Sequence, residues 1–238
     1  MGIVKLAIGD AAITFLWVFG ASCLGAGTSI IASNLGVQGP MTLLITTSLL
    51  FLLVFLFSFL GQVMGGATWN PTASAAAFAL GVGNDNLISM SIRFPAQAAG
   101  AVGGALAIME LMPASYKHML GGPSLKVDLH RGAIAEGVLT FLISFMVLLI
   151  IMKGPKSSFW KSWMISLVTI ILVLAGSGYT GPSMNPANAF GWAYVNNRHN
   201  TWEQLYVYWI TPFIGSILAA WILRLISPPG SSKKEKKA

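Results

Sequence analysis

The sequence predicts an all-α membrane protein, in which six transmembrane helices and two re-entrant half-helices form an inverted repeat. Of its 238 residues, 55% are hydrophobic and only 9% are charged, whereas a soluble domain carries about a quarter charged residues. Six apolar stretches are long enough, or nearly so, to cross a bilayer. In addition, each half of the chain holds an Asn-Pro pair followed by a short apolar segment.

The six predicted spans each approach the length of about 20 apolar residues that a transmembrane helix needs. The fifth is the weakest, and it becomes long enough if Trp160 and Lys161 stand at the membrane interface. The spans are Leu6–Leu24, Met41–Leu60, Ile92–Leu111, Ile134–Met152, Trp163–Gly176 and Leu205–Ile226.

Lysine and arginine predict the orientation of the spans, because cytosolic loops carry an excess of both residues. With a cytosolic N-terminus, most of the 14 Lys and Arg residues lie on the cytosolic side, Arg93 and the lysines of the tail among them. We therefore expect both termini to be cytosolic.

Two segments, Thr72–Leu80 and Ala187–Val195, are too short to cross a bilayer, and each follows an Asn-Pro pair. Proline suits the first turn of a helix, and asparagine before it is a favoured N-cap. Asn70 and Asn185 are therefore predicted to start two half-helices. Two capped turns in surface loops are the alternative, which the matching positions of the two copies disfavour.

The two halves of the chain repeat the same order of elements. The first span contains "DAAITFL" from Asp10 and the fourth contains "EGVLTFL" from Glu136. Each half, about 1–115 and 130–227, then reads as two spans, a half-helix and a third span. Because three spans are an odd number, the halves insert with opposite orientation, and the half-helix N-termini meet near the bilayer midplane.

Several glycines flank the predicted half-helices and would give the entering chain permissive dihedral angles. They are Gly61, Gly65, Gly66, Gly176, Gly178 and Gly181.

Acidic residues within a membrane are functional candidates by default. Asp10 and Glu136 suggest either a proton relay or a pair of acceptors for the re-entrant backbone of their own halves. Their symmetric placement favours the second interpretation, because a relay does not need one acid in each half.

The meeting point of the half-helices predicts a constriction for neutral solutes. The amides of Asn70 and Asn185 donate hydrogen bonds and do not titrate, while their oxygens can cap the helices. Two helix N-termini add roughly half a positive charge each, which disfavours cations and a continuous proton wire.

Other kinds of site find little support in the sequence. The three histidines lie on loops or span edges without metal-ligand spacing, and Cys23 is the sole cysteine. We expect no enzyme activity, no cofactor and no metal site. The net charge of +7 is concentrated in the tail and does not indicate nucleic-acid binding.

These motifs resemble those of the aquaporin (major intrinsic protein) family over nearly the whole chain. The resemblance rests on the inverted Asn-Pro boxes, the acids of spans one and four, and "GYTGPSMNPA" before the second box. The small size, the altered first box, the short N-terminus and the lysine-rich C-terminus resemble the plant small basic intrinsic proteins. The boxes are Asn70-Pro71-Thr72, with Thr in place of the usual Ala, and Asn185-Pro186-Ala187.

The resemblance implies an aquaporin-like channel domain over 1–227, homotetramers with one pore per subunit, and an endoplasmic reticulum location. Its implied solutes are water, with other small neutral solutes as further candidates. The family's selectivity filter maps to Leu50, Val173, Pro182 and Asn188. Asn188 stands where the family usually has arginine, so strict water selectivity is in doubt.

The segment 228–238 is predicted to be a basic cytosolic tail. Lys234 and Lys236 resemble a dilysine-type retrieval signal of endoplasmic reticulum membrane proteins. The alternative is a generic basic tail held to anionic membrane lipid.

Three functions fit the residues. The first is a passive channel for water and small neutral solutes. The second is a poorly conducting membrane protein that uses the same fold for structure or contact, which the apolar filter keeps open. The third is a proton-coupled transporter that uses Asp10 or Glu136.

Overall fold

A computed structural model describes residues 2–83 and 85–228, and within these residues every regular element is a helix. A 3-10 helix spans Ala114–Met119 and a π-helical turn spans Tyr206–Ile210. The α-helices are α1 (Ile3–Ser22), α2 (Leu24–Leu35), α3 (Pro40–Val63), α4 (Pro71–Leu80), α5 (Leu87–Leu111), α6 (Leu129–Lys153), α7 (Ser158–Gly176), α8 (Pro186–Val195), α9 (Trp202–Leu205) and α10 (Thr211–Ile226).

In the part of the chain that the structure describes, six helical units are long and apolar enough to cross a membrane, as the hydropathy pattern predicts. The first unit combines α1 and α2 into 33 residues, so its predicted end at Leu24 is wrong. The small and polar residues after Leu24 lower the hydropathy but do not stop the helix. Gly36 ends it, with a left-handed φ of 64°, which glycine adopts without strain.

The two half-helices are present with the predicted starts. Both α4 and α8 are ten residues long and begin at the proline of an Asn-Pro pair. The prediction of permissive backbone holds for only part of the glycine set, since Gly65, Gly66 and Gly181 have positive φ values. Gly61 instead allows close approach, because a methyl group there would lie 2.7 Å from the Ala67 carbonyl oxygen.

Equivalent glycine contacts hold the first and third spans of each half together. A methyl group on Gly100 of α5 would collide with the carbonyl of Ala11 in α1, and one on Gly215 of α10 would collide with the carbonyl of Gly137 in α6. Small residues permit such backbone contact between membrane helices. The paired contacts follow the inverted repeat.

Each half-helix packs on the third span of the opposite half. Trp192 of α8 packs with Ala101 and Ile108 of α5, whereas Leu80 of α4 packs with Ala220 and Leu223 of α10. This exchange joins the halves into one helical bundle and brings the starts of α4 and α8 together at its centre.

Arg93, which counted towards the cytosolic charge, is only 2% exposed and lies within α5. The lysines of the predicted retrieval signal, Lys234 and Lys236, lie outside the described residues, and the signal stays a prediction.

Candidate functional site

The side-chain oxygens of Asn70 and Asn185 cap the half-helices that they precede. Asn70 Oδ1 accepts from the backbone N–H of Thr72 at 3.1 Å. Asn185 Oδ1 accepts from the backbone N–H groups of Ala187 at 3.1 Å and Asn188 at 3.3 Å. These bonds satisfy N–H groups that the first turn of a helix leaves unpaired.

The amide nitrogens of the two asparagines reach across to the opposite half. Asn70 Nδ2 donates to the carbonyl of Met184, and Asn185 Nδ2 donates to the carbonyl of Trp69, each at 2.8 Å. Each acceptor immediately precedes the opposite asparagine, so the bonds are reciprocal. Because a side-chain amide has two N–H groups, each asparagine has a second N–H besides the one used in this bond.

Thr72 makes the two caps chemically different. Its hydroxyl donates to Asn70 Oδ1 at 2.8 Å, whereas in the second half the additional donor to the cap is the backbone N–H of Asn188. The Thr72 side chain is 1% exposed. The hydroxyl that distinguishes the first box therefore holds its asparagine in place and is turned away from solvent.

Met184 is held in a strained conformation immediately before the second box. Its φ is 48°, in the left-handed region that residues other than glycine rarely adopt. Its N–H donates to Glu136 Oε2 at 2.9 Å, and its carbonyl accepts from Asn70. Bonds on both sides of the residue thus keep a conformation that costs roughly 1–3 kcal/mol.

Asp10 lies at the centre of a buried network in the first half. Its Oδ1 accepts from the backbone N–H of Thr68 at 2.8 Å, in the chain that enters α4. Its Oδ2 accepts from Arg93 Nε at 2.6 Å and from Gln97 Nε2 at 2.9 Å. Asp10 and Gln97 are 0% exposed, so these donors replace the hydrogen bonds that the Asp10 carboxylate would make with water.

Arg93 extends this network to both ends of the first re-entrant segment. It donates to the carbonyl of Gly66 at 3.2 Å and to Thr68 Oγ1 at 3.1 Å, before α4. It also donates to both carboxylate oxygens of Asp85, at 2.7 and 2.8 Å, after α4. One guanidinium therefore links α1, the entry to the half-helix and the connection that follows it.

Glu136 occupies the matching place in the second half, with neutral donors. It accepts from the hydroxyl of Thr180 at 2.8 Å and from the backbone N–H groups of Ser183 and Met184 at 2.9 Å each. Tyr208 precedes Gly215 by the interval that separates Arg93 from Gly100, and its hydroxyl donates to the carbonyl of Thr180 at 3.4 Å. The halves share a geometry but differ in charge.

A cavity of about 250 Å³ lies beside the first turn of α8. We call it the Asn188 cavity. Its lining includes Ala21, Ser22, Gly122, Pro182, Asn188 and Trp192. It unites two of the four predicted filter residues, Pro182 and Asn188, with the end of α1.

The other two predicted filter residues do not line this cavity. Leu50 is half-buried on α3. Val173 is half-buried on α7 and packs against the apolar cluster formed by Leu139, Leu172 and Met184. Val173 is thus close to the residue that precedes Asn185, but on the apolar side.

The chemistry available at the site is hydrogen bonding. The described residues contain no group of three His, Cys, Asp or Glu side chains that could hold a metal ion. What converges are two amides, two helix starts and two buried acids behind them. This arrangement can orient a small polar molecule but offers no nucleophile beside a base.

Sequence reasoning missed Arg93, Gln97, Met184 and Ser22. A usable signal existed for the first two, because an arginine and a glutamine in an apolar span need buried partners. No local pattern indicates the strained backbone of Met184. In the sequence, Ser22 indicates only the end of a span, and its place beside α8 depends on how the helices pack.

Comparisons with known proteins agree with this geometry. The model of the major intrinsic protein family matches residues 2–223. Aquaporin SIP1-2 of Zea mays is 62% identical over 235 residues, which cover 98% of this chain and 97% of the relative. Aquaporin SIP1-1 of Arabidopsis thaliana is 52% identical over 242 residues, and both chains are covered completely.

A solved structure shares the fold at low identity. The aquaglyceroporin from Plasmodium falciparum superposes with a TM-score of 0.76, over 95% of this chain and 98% of that one, at 19% identity. The predicted fold class is confirmed, and so is the resemblance to small basic intrinsic proteins. The chain is a multi-pass membrane channel rather than an enzyme, and it belongs to the major intrinsic protein family, within the small basic intrinsic protein group of plant aquaporins.

Proposed function

We propose that the chain is a passive channel for water and other small neutral solutes, with an atypical selectivity filter. The observation that carries the proposal is the reciprocal bonding of Asn70 and Asn185 where the two half-helices start. Each amide is oriented by its own helix and by the opposite half. A passing water would accept from the remaining N–H of each.

Neutral solutes are favoured because two helix N-termini face the same point. Each contributes roughly half a positive charge, which raises the energy of a cation near the asparagines. A water that accepts from both amides turns its own hydrogens away from the constriction, and this interrupts a proton wire.

We assign Asp10 and Glu136 to supporting the re-entrant segments. Asp10 accepts from Thr68 N–H and Glu136 accepts from Ser183 and Met184 N–H. Both carboxylates are 0% exposed, and each accepts from several donors. A proton-coupled transporter would need an acid that can reach solvent, so these contacts favour the passive channel.

Pro182 and Asn188 are assigned to the selectivity filter, where a solute meets them after the constriction. Val173 and Leu50 are assigned to apolar walls of the path. Asn188 lacks the fixed charge and the rigid fork of donors that an arginine supplies. The filter should therefore discriminate less strictly between water and other neutral molecules.

A poorly conducting structural or contact role is the alternative. One observation favours it: Val173 and Leu50 are half-buried apolar side chains, and an apolar constriction can exclude water by dewetting. The bonded asparagine pair would then serve to lock the halves together.

Stopped-flow swelling and shrinking of proteoliposomes separates the two roles. We expect water permeability well above that of empty vesicles, and we expect Asn185→Asp to reduce it, because aspartate keeps a capping oxygen but loses the amide donor. Asn196→Asp, at the exposed end of α8, is the matched control. Permeability equal to that of empty vesicles would refute the channel proposal.

The setting of the channel in the cell is part of the proposal. The similarity to small basic intrinsic proteins supports homotetramers in the endoplasmic reticulum membrane. The lysine and arginine distribution supports cytosolic termini, and the basic tail supports contact with anionic lipid. Protease accessibility of tags at either end in sealed microsomes tests the orientation: protected tags would contradict it.

A further inference from the structure

Three lysines lie where α6 ends and α7 begins: Lys153, Lys156 and Lys161. No aspartate or glutamate occurs in the sequence from position 137 to position 202. Within the described residues, none of these lysines forms an ion pair. Lys161 Nζ donates to the carbonyl of Ile151 at 3.3 Å, which holds its charge between the two helix ends. This end of the bundle therefore carries a concentrated positive charge that no described acid neutralises.

Exposed aromatic rings continue from these lysines along the outer face of α7. Phe159, Trp160 and Trp163 are 55%, 53% and 38% exposed, and successive rings of this series are 5.4 and 6.0 Å apart. On α3, the Phe55 ring lies 5.2 Å from that of Phe159. The Phe51 ring lies 6.3 Å from that of Trp163. Tryptophan beside lysine is typical of the zone where lipid headgroups meet acyl chains.

The aromatic rings lead into a groove of about 350 Å³ between α3 and α7. We call it the α3–α7 groove, and its lining is Thr47, Ser48, Phe51, Leu52 and Ile170. Three of these side chains are hydrocarbon. The Thr47 hydroxyl donates to carbonyls of its own helix, so its hydrogen is satisfied without an occupant. The groove therefore suits an apolar chain.

The lysines and the groove are separated by the depth of one lipid leaflet. Ile170 follows Ser158, the first residue of α7, by 12 positions, which is about 18 Å along the helix axis at about 1.5 Å per residue. One leaflet with its headgroups is about 20 Å deep, half of a bilayer of roughly 40 Å. A phospholipid with its headgroup at Lys156 would therefore lay an acyl chain past Trp163 and into the groove.

We propose that this face of α3 and α7 binds an anionic phospholipid, with the phosphate at Lys153, Lys156 and Lys161 and one acyl chain in the α3–α7 groove. Charge complementarity selects the headgroup, because a zwitterionic lipid brings a cation of its own towards three lysines. In the orientation proposed above, this end of the bundle faces the cytosolic leaflet, where anionic lipids concentrate. The site lies on the outer surface of the bundle, apart from the channel path and from the basic tail.

A second copy of the chain is the competing occupant of an apolar groove between helices. Such a copy would have to bring acids to the lysines, because like charges repel. Among the described residues at this end of the bundle, the partly exposed acid is Asp85, and both of its carboxylate oxygens already accept from Arg93, at 2.7 and 2.8 Å. The charge distribution therefore favours a lipid phosphate over another copy of this chain.

Native mass spectrometry of the full chain, titrated in detergent with dioleoylphosphatidylglycerol or dioleoylphosphatidylcholine, tests the headgroup contact. We expect the parent chain to retain phosphatidylglycerol preferentially. Lys153→Gln combined with Lys156→Gln should weaken its affinity roughly 25-fold, since each basic residue near an anionic surface contributes about fivefold. Lys117→Gln combined with Lys126→Gln is the matched control, because it removes the same charge from exposed lysines at the opposite end of the bundle. Equal losses in the two double variants, or no preference in the parent chain, would overturn the proposal.

Ile170→Trp tests the acyl contact by filling the α3–α7 groove. It should weaken binding of the dioleoyl lipid roughly tenfold, the factor that loss of about two buried methylene groups gives. Dioctanoylphosphatidylglycerol, whose chains are too short to reach position 170, should bind as it does to the parent chain. Leu218→Trp, on the exposed face of α10, is the matched control.

The outcomes separate the two occupants. If Ile170→Trp leaves lipid affinity unchanged and instead alters the oligomeric mass, a second copy fills the groove and the lipid proposal is wrong. Size-exclusion profiles identify any variant that misfolds, and the exposed lysine substitutions then carry the test. Lipid retention is measured without solute flux, so its failure leaves the channel function standing, and loss of permeability does not bear on the lipid site.

Discussion

The guanidinium of Arg93 lies 2.6 Å from the carboxylate of Asp10, and the two side chains are 2% and 0% exposed. Charges in the low dielectric of a protein interior are costly unless they are paired and fully hydrogen-bonded. Here the pair is completed by Gln97, Thr68 and Asp85. The first re-entrant segment is thus attached to α1 through an ion pair, whereas neutral donors serve the second.

Arg93→Met should destabilise the protein strongly, because it leaves Asp10 buried without its cation. Removal of one partner from a buried pair costs roughly 3–5 kcal/mol. Arg131→Met is the control, since the Arg131–Asp128 pair is largely exposed and such pairs contribute little. Thermal unfolding of the purified variants in detergent measures the difference, and equal midpoints would contradict the role of the network.

Thr72→Ala should have a small effect. The variant loses one hydroxyl donor to Asn70 Oδ1 but keeps the backbone donor of residue 72, so we expect at most about 1 kcal/mol of destabilisation. Water permeability should remain close to that of the parent chain. Thr47→Ala gives the baseline, because this half-buried threonine on α3 bonds only to carbonyls of its own helix in the described residues. A large loss of permeability in Thr72→Ala alone would show that the hydroxyl acts in the pore.

Gly100→Ala and Gly215→Ala should both disrupt the bundle. Each methyl group would collide with a backbone carbonyl of the partner helix, at Ala11 or Gly137, and backbone cannot move aside as a side chain can. Overpacking of this kind costs typically 1–3 kcal/mol, occasionally more. Gly178→Ala meets open space and should express normally. The measurement is the yield of monodisperse protein; normal yields for all three variants would argue against these helix contacts.

Asn188→Arg should narrow the range of solutes while it preserves water flux. Arginine adds a fixed charge and a fork of donors to the Asn188 cavity, so glycerol and urea should pass more slowly relative to water. Parallel stopped-flow measurements of the three permeabilities check this. Unchanged selectivity would count against the assignment of Asn188 to the filter.

Replacement of Lys234 and Lys236 with serine should release the protein towards the cell surface. The expectation follows from the resemblance of the tail to a dilysine-type signal. Replacement of Lys233 and Lys237 removes the same charge and is the matched control for electrostatic attraction to lipid. Fluorescence imaging distinguishes them: retention of both variants in the endoplasmic reticulum would refute the signal.

Local patterns in the sequence predicted most of the helices. Hydropathy and length indicated six spans, and the Asn-Pro pairs indicated α4 and α8 to within a residue, because N-capping and proline geometry act over a single turn. The prediction was wrong at the C-terminal end of the first span, where the residues become less apolar but the helix continues. There Gly36, rather than the loss of apolar residues, ends the helix.

The sequence by itself determined the membrane class, the inverted repeat, the two half-helices and the family, since each depends on composition, spacing or short motifs. Only the tertiary structure decided which groups meet: Arg93 with Asp10, each asparagine amide with the opposite backbone, and Ser22 with Asn188 around one cavity. These contacts join residues far apart in the chain, and their geometry depends on how glycine-lined helices approach and how buried polar groups find partners. A buried donor or acceptor must be satisfied somewhere, but the partner that satisfies it is chosen by the packing of the whole bundle.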